Sequence, residues 1–155
     1  MQYKTAEEGT LIAHREAIVP GTIDRTRCSF MQGDACRLPM LPSFDVILCG
    51  NLLCRLPDPL LLLDRLPTLM QENGVVVLVS PYSWLAEYTP TEKWLGGFKK
   101  SNKAVHSKES LKKHMMGNGF VPVLDEDTSF LIREHARKFQ WGVSHTTIWR
   151  YVGKS

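Results

Sequence analysis

Two short runs, FDVILC (44–49) and GVVVLV (74–79), are apolar at nearly every position. A strand that buries one face alternates, whereas one covered on both faces reads as a continuous apolar run. The chain between them predicts a helix. Asp58-Pro59 supplies an N-cap acid followed by proline at the first helical position,. LLLLDRLPTLMQ (60–71) continues the helix, and Pro67 is expected to kink or restart it because proline lacks the N–H that the helix needs,. Asn73-Gly74 reads as its stop, since both residues tolerate the left-handed backbone of a C-cap,. Strand, helix, strand with two-sided strands predicts a parallel crossover and an α/β fold.

The remaining chain fits around that unit. Residues 1–26 read as a short strand or a hairpin, MQYKT and then TLIAHREAIV, closed by Pro20-Gly21,. RCSFMQ (27–32) is a strand candidate that stops at Gly33-Asp34, and Pro39 and Pro42 bracket a loop,. Ser107 is expected to cap a helix over SKESLKKHMMGNG, with Leu111 and Met115 on one face and Gly117 and Gly119 at its end,. A strand at 120–124, a turn at 125–128 and a last strand at 144–152 complete the reading,. The expected sheet is mostly parallel with an antiparallel edge. At 155 residues, with no repeat or linker, the chain is expected to form a single domain, 1–155,.

Composition narrows the function. A net charge of +3 is too small to imply a nucleic-acid partner,. One basic stretch, Lys99, Lys100, Lys103, Lys108, Lys112 and Lys113 against Glu109, reads as a solvated loop and helix face, with phosphate binding the minor alternative,. No apolar run approaches the ~18 residues that a membrane span needs, and MQYKTAEEG carries no signal-peptide core,. A cytoplasmic protein without membrane contact is expected. Cys28, Cys36, Cys49 and Cys54 give no CxxC spacing and read as reduced, mostly buried thiols,. The five histidines form no HExxH pattern, so no metal site is expected,.

Two segments are rich in groups suited to small-molecule recognition. SPYSWLAEYTPTEKWLGGF (80–98) leaves the second apolar strand and at once spends Tyr82, Trp84, Tyr88 and Trp94 on a loop, with Glu87 and Glu92 among them. Such rings stack on flat ligands and suit cations. A carboxylate such as Glu87 can hold an ammonium or a ring N–H. Packing the loop onto the core is the plainer use of Trp84 and Trp94. FLIREHARKFQW (130–141) carries Arg133 and Arg137, either of which can clamp a carboxylate, or simply join surface ion pairs,.

Gly-Asp-Ala-x-x-Leu-Pro (33–39), Phe-Asp-Val-Ile-Leu, Asn51, Leu-x-x-Leu-x-Asp-Pro (53–59), then helix, Asn-Gly and a Val-rich strand together resemble the second half of a class I S-adenosylmethionine-dependent methyltransferase. More narrowly, QGDACRLP, NLLCRLPDP, the aromatic loop and FLIREHARKFQWGVSHTTIWR resemble the C-terminal methyltransferase domain of the bifunctional ovothiol-biosynthesis enzymes. The resemblance implies a Rossmann-like sheet and S-adenosylmethionine as cofactor. Its adenine would meet Asp34 and Ala35, with Asn51 and Leu52 on the methyl side. It also implies a thiohistidine substrate, methylated on an imidazole nitrogen and bound by Tyr82, Trp84, Glu87, Tyr88, Arg133 and Arg137. No catalytic group is assigned; His135 or His145 is a conceivable base.

The family's first strand and GxGxG turn have no counterpart, because the eleven glycines never give GxG between a strand and a helix,. A truncated domain with little or no activity is therefore expected. The alternative expectation is a methyltransferase-like fragment that binds a small molecule or a protein, self-associating through its exposed sheet edge.

Overall fold

The computed structural model describes residues 1–153. They gather into two compact units. One unit joins Met1–Gln32 with Ser129–Gly142; the other joins Gly33–Thr128 with the chain from Val143 onward.

In the first unit, β1 (Gln2–Glu8) and β2 (Leu11–Glu16) form the expected antiparallel hairpin. It turns at Gly9, whose φ of +55° is cheap only for glycine,. Met1 and Ala17 close the open end with reciprocal backbone hydrogen bonds of 2.9 Å. None of the described residues of 1–32 is buried. RCSFMQ does not form the expected strand. A 3-10 turn at Arg25–Arg27, capped by Asp24, is followed by extended chain without pairing. Phe30 is 98% exposed there, so neither a partner backbone nor a core rewards strand formation,.

The second unit is built on β3 (Phe44–Gly50), α1 (Pro59–Leu69) and β4 (Met70–Ser80). Asp58 caps α1 as expected, accepting from the Leu60 N–H at 3.1 Å, with Pro59 at the first helical position. Pro67 neither splits nor restarts the helix. It lies in the last turn, and the helix ends at Leu69, two residues later. Asn73-Gly74 is not the helix stop but part of β4. A Cβ at Gly74 would lie 2.6 Å from Met70 Cε and 3.1 Å from the Asp45 carbonyl oxygen, so only glycine fits between the strands. β5 (Phe98–Lys100) and β6 (Lys103–Val105) form a small hairpin before α2 (Ser107–Gly117). Asn118 and then Gly119 at φ +84° end that helix.

β7 (Phe120–His135) and β8 (Lys138–Tyr151) are far longer than expected, and the turn expected at 125–128 lies inside β7. The four-stranded sheet runs β3-β4-β8-β7. β3 and β4 are parallel, whereas β4 and β8 are antiparallel. The sheet is therefore mixed rather than mostly parallel, because a long hairpin rather than a second crossover fills its far side.

Register explains the core. Ile47 and Cys49 pair with Val76 and Leu78, which pair with Trp149 and Thr147, and partners share a face,. Buried members of that face join Leu62, Leu63 and Leu66 of α1 and Leu111 and Met115 of α2 in one apolar cluster. The opposite face carries Val46 and Leu48, 62% and 68% exposed. β3, read from sequence as covered on both sides, is thus covered on one, because both helices pack on the same face. Cys49 and Cys54 are buried, Cys36 is half-buried and Cys28 is exposed; all four are free. No helix among the described residues is long and apolar enough to cross a membrane.

Candidate functional site

Ligands of α/β sheets gather where parallel strands deliver their carboxyl ends. Each of the two parallel strands here is followed by a non-glycine residue with left-handed backbone. Asn51 lies beyond β3 at φ +52°, and Tyr82 lies beyond β4 at φ +50°. For a bulky residue that region is a true outlier, costing roughly 1–2 kcal/mol, and such residues cluster at functional sites. Both are pinned from several sides. The Asn51 N–H donates to the Val79 carbonyl at 2.8 Å, and its Oδ1 accepts from the Ser144 hydroxyl at 3.0 Å. The Tyr82 N–H donates to Ser80 Oγ at 3.2 Å, and its carbonyl accepts from the Trp84 N–H at 2.8 Å.

The Tyr82 hydroxyl lies 2.8 Å from His145 Nδ1. On the other side of the imidazole, Nε2 lies 3.0 Å from Asp125 Oδ1. Lys108 Nζ reaches the same oxygen at 2.6 Å. Hydrogen bonds from Lys108 and then His145 hold the Asp125 carboxyl below its ordinary range, so it is an acceptor. With the Asp125 carboxylate as acceptor, Nε2 is the donor to it, and a neutral imidazole then presents a bare Nδ1 to the Tyr82 hydroxyl,. Burial, and secondarily the Asp125 charge, raise the Tyr82 phenol above its usual value, so it stays protonated,. The Lys108 ammonium is raised in turn by its bond to Asp125. β8 thus ties down both loops through consecutive residues, Ser144 to Asn51 and His145 to Tyr82.

Beside Tyr82 opens a cavity of about 210 Å³, lined by Tyr82, Trp84, Gly97, His106, Ser107 and Lys108. Trp84 is buried, stacks on Trp94 with centroids 6.4 Å apart, and donates its indole N–H to Ser107 Oγ at 2.8 Å. Ser107 therefore does not cap α2 as expected. It is the first helical residue, His106 takes the cap position, and the serine hydroxyl is engaged by the indole. Trp94 donates to the Thr89 carbonyl at 2.8 Å, and the buried Thr89 hydroxyl donates to the Leu56 carbonyl at 2.7 Å. The aromatic loop is thus a rigid shelf. Tyr88 and Glu87 lie exposed on it, with the Arg55 guanidinium 4.9 Å from the Tyr88 ring centroid.

Asp34 Oδ1 accepts from the Cys36 N–H at 2.9 Å and caps a 3-10 turn at Ala35–Arg37. Ala35 and Leu52 are both half-buried against the apolar cluster. Asp34 keeps a second carboxylate oxygen, and Asn51 keeps its side-chain amide. Among the described residues no GxG lies between a strand and a helix; Gly117-Asn118-Gly119 ends α2 instead. Arg133 and Arg137 belong to the other unit, exposed at the tip of the β7–β8 hairpin. There Arg133 Nε donates to the His135 carbonyl at 3.3 Å, and the Arg137 N–H donates to His135 Nδ1 at 3.2 Å. Among the described residues, no three His, Cys, Asp or Glu side chains gather closely enough to hold a metal ion.

Sequence reasoning singled out Tyr82 and Trp84 but missed Asp125 and Lys108. Their only signal was charge beside an apolar strand and at a helix start, which most surface residues share.

Comparison with known families adds an independent line. The model of a methyltransferase domain family matches residues 5–125. No curated protein matches the chain. With most of its length matched, including the strands that lead to Asn51 and Tyr82, the chain belongs to the methyltransferase domain family.

Proposed function

We propose that the protein methylates a ring nitrogen of a thiohistidine in ovothiol-type biosynthesis, with S-adenosylmethionine as donor. Bound there, the cofactor supplies an electrophilic methyl group. Asp34 and Ala35 take its adenine edge, while Asn51 and Leu52 flank the methyl side. The observation that carries this reading is Tyr82, held on His145 and opening on a cavity of about 210 Å³. Sites for drug-sized ligands start near ~300 Å³, so this one suits a single ring. Trp84 and Tyr82 offer that ring flat walls. Glu87 and Tyr88, exposed on the same loop, would take the amino-acid ammonium,. The four free cysteines accord with a reducing compartment such as the cytoplasm,. Incubating the chain with S-adenosylmethionine and thiohistidine tests the reading. S-adenosylhomocysteine should appear together with a product one methyl group heavier; neither appearing at high protein concentration would overturn it.

A second reading, a binding module that self-associates, rests on β3. It is an edge strand of the described sheet, with Val46 and Leu48 exposed and only Asp45 charged. Antiparallel pairing with β3 of a second copy would bring no like charges opposite one another. Sedimentation should then show a dimer that Leu48→Lys dissolves; a monomer at all concentrations removes this reading.

A further inference from the structure

The geometry points to a proton relay: Tyr82, His145 and Asp125 carry away the proton that the substrate's ring N–H must lose, with Tyr82 touching the substrate and His145 accepting behind it. The inference rests on the methyl-transfer reading. It goes beyond it by naming the groups that handle the proton.

A neutral imidazole ring has one nitrogen with a lone pair and one with a proton. As the first forms its bond to the methyl carbon, the carbon–sulfur bond breaks and its electron pair stays on sulfur. The ring is then cationic and sheds the proton of its other nitrogen. That proton passes to the Tyr82 oxygen while the phenol's own proton passes to His145 Nδ1, 2.8 Å away. His145 becomes an imidazolium, neutralised by the Asp125 carboxylate 3.0 Å from Nε2. One proton leaves the substrate and one arrives on His145, so the phenol ends as it began.

Three observations set this apart from a buried tyrosine that has merely found a partner. The contacts link phenol, imidazole and carboxylate in series, and the series ends on a carboxylate bonded to Lys108. Tyr82 is held in left-handed backbone at the end of a parallel strand, strain that packing alone does not require,. The same residue lines a ring-sized cavity. The charged and titratable groups facing His145 come from three elements: Asp125 on β7, Tyr82 on the loop, and Lys108 on α2 acting through Asp125. Asp127 and Glu109 act on Lys108.

The full chain, labelled with ¹⁵N-histidine, gives a readout independent of turnover. His145 should show a protonated Nε2 and a bare, hydrogen-bonded Nδ1. Tyr82→Phe should move the Nδ1 resonance and leave Nε2 in place, and Asp125→Asn should disturb Nε2. Thiohistidine should shift Nδ1 in the wild type and not in Tyr82→Phe. In turnover, Tyr82→Phe and Asp125→Asn should each lower kcat about 100-fold or more, with KM within about threefold. A proton on Nδ1, or thiohistidine leaving the His145 resonances unmoved, overturns the relay. So does an active wild type whose two variants keep kcat within about threefold. A wild type that makes no S-adenosylhomocysteine counts against the methyl-transfer reading alone, and the resonances then decide the relay separately.

Discussion

The β1–β2 hairpin and the β3–α1–β4 unit both bring two strands into register, and they are held by different means. The hairpin, seven residues against six, buries no side chain; its ends are closed by Met1–Ala17 hydrogen bonds and its face carries an Arg15–Glu7 pair at 3.6 Å. A two-stranded ribbon of that kind is marginal in water. The crossover unit buries Leu53, Leu63, Leu66 and Val76 to 0% exposure. Local pairing suffices to shape a hairpin, but holding a strained residue such as Tyr82 requires a packed core beneath it.

The widest gap between the two regions should come from truncating a large apolar side chain. Leu63→Ala should cost about 2–5 kcal/mol, while Trp141→Ala, in the same unit as the hairpin and 67% exposed, should stay within about 0.5 kcal/mol, both by urea unfolding,. Comparable losses would mean that the first unit has a core of its own. Next comes glycine. A Cβ at Gly96 would run into the backbone of His106 and Ser107, so Gly96→Ala should cost about 1–3 kcal/mol,. Gly21 has nothing within 4 Å of such a Cβ, and Gly21→Ala should be neutral or stabilise by up to about 1 kcal/mol,. Equal melting temperatures for the two variants would show that the loop around Gly96 gives way freely.

A smaller difference separates the polar contacts. Asp58→Ala removes the α1 cap and the 2.7 Å pair with Lys93, and should cost about 1 kcal/mol,. Glu7→Ala should cost about 0–1 kcal/mol, at the low end for an exposed pair,. The smallest effect is chemical. Burial pushes the Cys49 thiol up to about 11, so its contribution to stability is fully present below the ordinary thiol value of about 8.5 and is lost as pH rises through about 11,. Exposed Cys28 should therefore react with a thiol reagent first, and Cys49 only on unfolding,. Early labelling of Cys49 would mean that β3 opens readily.

Much of the second unit was legible because its signals are local. FDVILC became β3, Asp58-Pro59 opened α1, and Gly117 to Gly119 closed α2, each from chemistry within a few residues. What failed depends on partners distant in sequence. RCSFMQ has strand composition but no neighbouring strand, and composition cannot report that. Asp125 and Asp127 look like turn residues, yet pairing with β8 carries them through as strand. The site divides in the same way. Tyr82 and Trp84 stood out by type. Asp125 meets His145 across 20 residues and Lys108 across 17, contacts that sheet register creates and no spacing rule announces. Ser107 was misread as a cap because its true partner, the Trp84 indole, lies 23 residues away.

The left-handed backbone at Tyr82 also sets how this protein can be engineered. Glycine or asparagine accepts φ +50° more readily than tyrosine, so either would return about 1 kcal/mol of backbone strain,. Either would also remove the half-buried ring and its 2.8 Å bond to His145, a loss of about the same size or larger,. The ring thus offsets the strain that its own backbone imposes, and relieving that strain is a poor route to a more stable protein; on the relay proposed above, it would also cut the proton path at its outer end.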